Sequence, residues 1–145
     1  MAQRRRVVKK TIFIDSSVLF TAVNSVSGGS AKLFTLKNIS LISSPVVLIE
    51  TERNVRKKLH EYHLDRFFTL VDILYILKQT PDKKLLTQAQ RVIVEKDAII
   101  LAEAKQAKTN YLLTLDKKHF LTPEVKAFLK PQKVMTPKMF FQKLK

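Results

Sequence analysis

Cysteine is absent from this sequence, which excludes a disulfide framework and any thiolate zinc site and suits a reducing cytoplasm. Glycine occurs only at Gly28 and Gly29, so no Gly-rich loop exists to cradle phosphates, and ATP or dinucleotide binding is disfavoured. No apolar run approaches the roughly 18 residues needed to span a bilayer. The N-terminal MAQRRRVVKK has the positive charge of a signal peptide but not the apolar stretch of about 7–15 residues that must follow. Acid is scarce too: 12 Asp and Glu stand against 27 Lys and Arg. These absences lead to the expectation of a cytoplasmic protein with no membrane segment.

What is present is an ordinary core. The apolar fraction is 46% in 145 residues, enough for one domain that buries about two-thirds of its unfolded surface. The net charge of +15 attracts polyanions over about a Debye length, and nucleic acid is the commonest cellular polyanion. A generically basic surface would carry the same charge, whereas membrane-surface binding needs a strongly amphipathic basic helix with bulky apolar anchors. No such helix stands out, and nucleic acid is favoured. Residues 1–10 read as a basic arm and residues 11–145 as a single domain without a linker.

Along the chain, TIFID (11–15) is β-branched and aromatic without alternation, as expected of a strand covered on both faces. SVLFTAV starts a helix, Gly28-Gly29 lie in a loop, and Ser30 is placed to cap a second helix through Leu36. ISLISS (39–44) is the next strand. Ser44-Pro45 is a helix start of the N-cap/N1 type, opening PVVLIETERNVRKKLHEY. LDRFFTLV reads as helix, DILYIL (72–77) as strand, 85–94 as helix, and KDAIILAEAKQAKT (96–109) as an amphipathic helix. YLLTLD (111–116) is a strand, KKHFLTP a loop, EVKAFLK a short helix, KVMTP (133–137) a strand and MFFQKL a last helical turn. Alternating strands and helices predict an α/β/α sandwich of three layers around a mostly parallel sheet of four to five strands.

Parallel sheets gather functional groups just past the C-terminal ends of their strands. Two strands here run into an acid, Asp15 and Asp116, although each acid could simply cap the helix that follows. Asp97 precedes Ile100, Leu101, Ala104 and Ala107 by three, four, seven and ten residues, so it shares their inward face. Its place in a first helical turn is also explained by the helix dipole. Three carboxylates brought together repel one another, and a divalent cation is the usual remedy. Glu50 and Glu52 both lie in the helix after Pro45. Periodicity leaves the choice open, with Glu52 nearer the apolar stripe of Leu48, Val55 and Leu59.

The order FIDSSVL, SPVVLIE, DAIILAEAKQAKTNYLLTLDKKHF and VMTPKMFF resembles PIN-domain proteins across nearly the whole chain. In particular it is similar to single-domain prokaryotic members that act as toxins of toxin–antitoxin pairs. The resemblance implies a metal-dependent nuclease, usually acting on RNA. It carries the family's acids onto Asp15, Glu50 (the register selects it over Glu52), Asp97 and Asp116, as both metal ligands and catalytic groups. Ser16 and Thr114 fit its supporting polar positions. A fifth acid after Asp116 is missing, since Lys117, Lys118 and His119 follow. The implied cofactor is Mg²⁺ or Mn²⁺, one ion or two, and the implied partners are RNA, a small antitoxin and a second copy of the chain.

Oxygen ligands with open positions suit these hard ions, which activate water and stabilise a leaving oxygen in in-line displacement. Expected contacts to the nucleic-acid backbone are Arg4, Arg5, Arg6, Arg53, Arg56–Lys58, Lys117 and Lys118, with His119 on phosphate or an outer-shell water. His60 and His63 read as structural. Phe67, Phe68, Tyr75, Phe120, Phe128, Phe140 and Phe141 fall at core spacings. Two alternatives stand beside the ribonuclease: a PIN scaffold that binds RNA or protein without cleaving, and a haloacid-dehalogenase-type phosphatase. The phosphatase needs a second Asp two residues after the first, where this chain has Ser17.

Overall fold

The computed structural model describes residues 9–145. A five-stranded, wholly parallel sheet forms the centre, in the order β3-β2-β1-β4-β5. Its strands are β1 (Lys10–Ile14), β2 (Ile39–Ser43), β3 (Tyr75–Ile76), β4 (Tyr111–Leu113) and β5 (Lys133–Met135). The middle strand β1 carries Ile12, Phe13 and Ile14 with no exposed surface, the consequence of helices covering both faces. Between β1 and β2 come α1 (Ser16–Asn24) and α2 (Gly29–Leu33); between β2 and β3, α3 (Pro45–Lys58) and α4 (His63–Val71). The crossover from β3 to β4 carries α5 (Lys83–Gln90) and α6 (Glu95–Ala107). Short helices α7 (Lys117–Phe120) and α8 (Pro123–Leu129) precede β5, and α9 (Pro137–Leu144) ends the chain.

The helices group by contact as the topology requires: α1 packs with α2, α3 and α4, α9 with α2, and α5 with α6. The order of strands reverses at β1: β2 and β3 are added on one side of it, and the chain then crosses over to add β4 and β5 on the other. This is the switch point at which open α/β sheets leave a crevice beyond their strand ends. Asp15 follows β1 directly, and Thr114 follows β4. The expected three-layer α/β/α sandwich is therefore the observed one, with all five strands parallel.

Several local expectations are corrected. The third strand is only Tyr75–Ile76 rather than 72–77, because α4 runs on to Val71 and backbone N–H groups of Asp72, Ile73 and Leu74 close further turns. The basic helix stops at Lys58, not Tyr62, its end turned by Leu59 in extended conformation. The helix placed at 85–94 occupies Lys83–Gln90 instead. KKHF, read as loop, forms α7 because the Asp116 side chain caps it. Gly28, not Ser30, is the N-cap of α2, and Ser30 is buried within that helix. Phe68 and Tyr75 are not core: they are 49% and 58% exposed. Phe68 lies on the outer side of α4, edge-on against Phe67, and Tyr75 sits in the outermost strand.

Candidate metal and nucleic-acid site

Each acid reaches the crevice by a local reason, and two of them, Asp15 and Glu50, are held there by hydroxyls. Asp15 is the N-cap of α1: its Oδ1 accepts from the Val18 backbone N–H at 3.2 Å and from the Ser17 hydroxyl at 2.6 Å. Its Oδ2 accepts from the Thr114 hydroxyl at 2.6 Å, which ties β1 to the residue after β4. Thr114 in turn accepts from the Asp116 backbone N–H at 3.0 Å. Burial nonetheless dominates, and the Asp15 carboxyl is pushed up to about 6 although these hydrogen bonds pull the other way.

Asp116 caps α7 by accepting from the His119 backbone N–H at 3.2 Å, and its Oδ2 lies 2.8 Å from His119 Nδ1. Asp97, in the first turn of α6, faces inward with only 9% exposure. Its Oδ2 is fully buried with no hydrogen-bond partner, 3.9 Å from the same His119 Nδ1. Burial is the main force raising the Asp97 carboxyl; Lys96 beside it lowers it and Asp116 raises it again. Glu50 comes from the second turn of α3, where Ser44 caps the helix over Pro45. The Ser16 hydroxyl donates to its Oε1 at 2.7 Å.

These residues line one groove of about 240 Å³: Asp15, Glu50, Asp97 and Asp116, with Ser16 and Ser17 beside them. Phe20, Asn54, Lys58 and Lys96 form its outer walls. Glu52 lies elsewhere, in an exposed pair with Arg56 at 3.0 Å. Arg53, Lys117 and Lys118 are exposed and outside the groove lining. Arg4, Arg5 and Arg6 lie outside the described residues. Asp15 and Asp116 thus serve as helix caps and as groove lining at once.

Ligand-bearing atoms of Asp97, Asp116 and His119 fall within 4.8 Å of one another. An orphaned carboxylate oxygen beside a second carboxylate and an imidazole fits a divalent cation: a buried acceptor without a donor is costly, and a cation is the partner it lacks. The sequence offered no signal for Asn54 or Lys96 in the groove, because each is one polar residue among several on its helix and neither continues an apolar stripe. It also passed over Glu103, buried in α6 where its Oε1 accepts from Ser44 at 2.7 Å. Burial raises that carboxyl, and the Ser44 hydrogen bond partly offsets it.

A family model for the PIN domain matches residues 12–124. The chain belongs to the PIN-domain family. PIN domains are generally nucleases. Among curated proteins none matches this sequence. Of solved structures, VapBC2 from Rickettsia felis, bound to a DNA fragment from its promoter, is similar at 18% identity, with a TM-score of 0.64 over 86% of this PIN domain and 98% of that chain. A Pyrobaculum aerophilum protein superposes with a TM-score of 0.61 at 16% identity, covering 95% of this chain and 90% of that one. Mycobacterium tuberculosis VapC20, a toxin that cleaves the sarcin–ricin loop, gives 0.55 at 16% identity over 74% and 91%. At these identities the likeness is one of fold. No helix among the described residues is long and apolar enough to cross a membrane.

Proposed function

We propose that this PIN domain is a Mg²⁺- or Mn²⁺-dependent endoribonuclease of the cytoplasm, and the toxin of a toxin–antitoxin pair. The observation that carries the reading is the unpartnered, buried Asp97 Oδ2 facing Asp116 and His119 in a groove shared with Asp15 and Glu50. Asp97 and Asp116 would hold the ion, with Asp15 and Glu50 completing the acidic wall. When bound, a divalent ion supplies a water of lowered pKa and neutralises charge on a phosphodiester. Ser16 occupies only one Glu50 oxygen, which leaves the other to orient the attacking water. Asp15 is clamped by Ser17 and Thr114, so it cannot swing away from the groove floor. Lys58 and Lys96 in the groove walls supply positive charge for the phosphates of a single strand, and binding weakens steeply with salt. The products expected are a 5′-phosphate and a 3′-hydroxyl.

The partners follow from the same reading. VapBC and FitAB structures are among the similar folds, which supports a small antitoxin as the regulator here; a homodimer is proposed as its assembly. The deciding experiment is incubation of short single-stranded RNAs with the protein and Mn²⁺, comparing wild type with Asp15→Asn and Asp116→Asn. Cleavage should require the metal and vanish in both variants; metal-dependent cleavage surviving both would sink the site. Expression should arrest growth, and a small neighbouring gene product should relieve the arrest.

A further inference from the structure

Two helices run side by side away from the acids, each presenting a row of residues one turn apart. On α1 the row is Ser16 and Phe20; on α3 it is Glu50, Asn54 and Lys58. Two contacts register the rows. At the near end the Ser16 hydroxyl bonds Glu50 at 2.7 Å. At the far end the Lys58 ammonium stands 5.9 Å from the centre of the Phe20 ring. Phe20, Asn54 and Lys58 all line the groove that holds the acids. By helical rise, Asn54 lies about 6 Å and Lys58 about 12 Å beyond Glu50. The chemistry along this track changes in order from carboxylate to amide to ammonium, with the Phe20 ring on the facing wall beneath the ammonium.

We infer that Phe20, Asn54 and Lys58 form a nucleobase subsite for the nucleotide flanking the scissile phosphate, an inference that rests on the ribonuclease reading. A half-buried ring at a groove wall offers a π-face to any base, and stacking of this kind tolerates sequence. The Asn54 amide carries both a donor and an acceptor, as a base edge requires. Lys58 takes the next phosphate. Its present position over the ring is at the outer limit of a cation–π contact and is worth little at an exposed site, so a phosphate can draw it off and free the ring. A row ending in carboxylate would repel the strand at this distance; this one ends in a cation, in a protein of net charge +15.

The test uses the full chain in EDTA, so that binding is read without cleavage, and a fluorescein-labelled single-stranded RNA 12-mer. The comparison probe is the same backbone made abasic throughout. Wild type should bind the intact strand about tenfold more tightly than the abasic one. Phe20→Leu, which keeps the apolar volume and loses the π-face, should lose that tenfold on intact RNA and bind abasic strand as wild type does. Lys58→Ala should lower the salt dependence of binding by about one ion. If Phe20→Leu weakens both strands equally, or neither, the subsite is overturned, and the ring is then core packing or a protein-binding surface. A base-dependent contrast without any Mn²⁺-dependent cleavage keeps the subsite and rejects the nuclease. Cleavage without the contrast does the reverse, and no binding to either strand rejects both.

Discussion

Asp15→Asn should make the metal-free protein more stable while destroying its proposed activity. Ionised Asp15 sits in the groove floor at 3% exposure, and burial holds its carboxyl at about 6 against an ordinary 3.8. That gap corresponds to roughly 3 kcal/mol disfavouring the folded state at neutral pH. Asparagine removes the charge at nearly the same volume and keeps an oxygen for Val18 and Ser17. It leaves the Thr114 hydroxyl, which donates to Oδ2, facing an NH₂ group, at a cost of about 1 kcal/mol. The net gain is about 2 kcal/mol, or roughly 6 °C in Tm for a domain of this size. The gain depends on pH: a raised folded pKa contributes stability below the unfolded value that is lost as pH rises through the folded one. The advantage of the variant should therefore be full above about pH 7 and close to zero near pH 4.5, where the folded wild type is protonated. Saturating Mn²⁺ should also erase it, since binding to the folded wild type alone adds about 2.7 kcal/mol at a hundredfold excess over Kd. Calorimetric melts in EDTA at both pH values, and with Mn²⁺, read all three. A variant that melts at or below wild type at neutral pH, or a gap that ignores pH, would refute the reasoning.

Four further outcomes follow from the same geometry. Glu50→Gln should cut RNA cleavage at least a hundredfold, whereas Glu52→Gln, whose carboxylate pairs with Arg56 on the surface, should stay within a few-fold in the same assay. Asp97→Asn and His119→Ala should each weaken Mn²⁺ binding tenfold or more by titration calorimetry, and unchanged affinity in both would move the ion elsewhere. Glu103→Gln should gain stability over wild type as pH rises, because burial raises the Glu103 carboxyl and its ionisation costs folded-state stability; urea melts at pH 5 and pH 8 check this. Lys108→Gly should stabilise by about 0.5–1 kcal/mol, since Lys108 ends α6 in the left-handed region at φ 55°, where glycine has no steric penalty.

The sheet was legible wherever a strand is covered on both faces. TIFID and YLLT have no polar alternation because every residue in them except the half-buried Thr11 is buried, and both form inner strands. The edge strand was overread: Ile73 and Tyr75 are apolar yet 52% and 58% exposed, and composition cannot separate an edge from a core. The Ser44 cap was readable from the proline that follows it, and Ser44 accepts from the Val47 N–H; Thr122 and Thr136 also precede prolines and cap helices in the same way, but the expected loop KKHFLTP and strand KVMTP hid them.

For the site, local chemistry determined which acids were candidates: Asp15 and Asp116 follow apolar runs, and Asp97 keeps the phase of an inward helical face. Spacing could not choose between Glu50 and Glu52, because their directions differ by two residues on a helix whose stripe is broad. Only the packing of α3 on α1 places Glu50 beside Ser16 and turns Glu52 to Arg56. The same packing brings Phe20 under Lys58 from a position 38 residues away in sequence, which no periodicity within either helix encodes. Sequence by itself determined the inner strands, the Ser44 cap and the charge. Tertiary structure decided which oxygens lack a partner, because that depends on what the switch point of the sheet brings within a few ångströms.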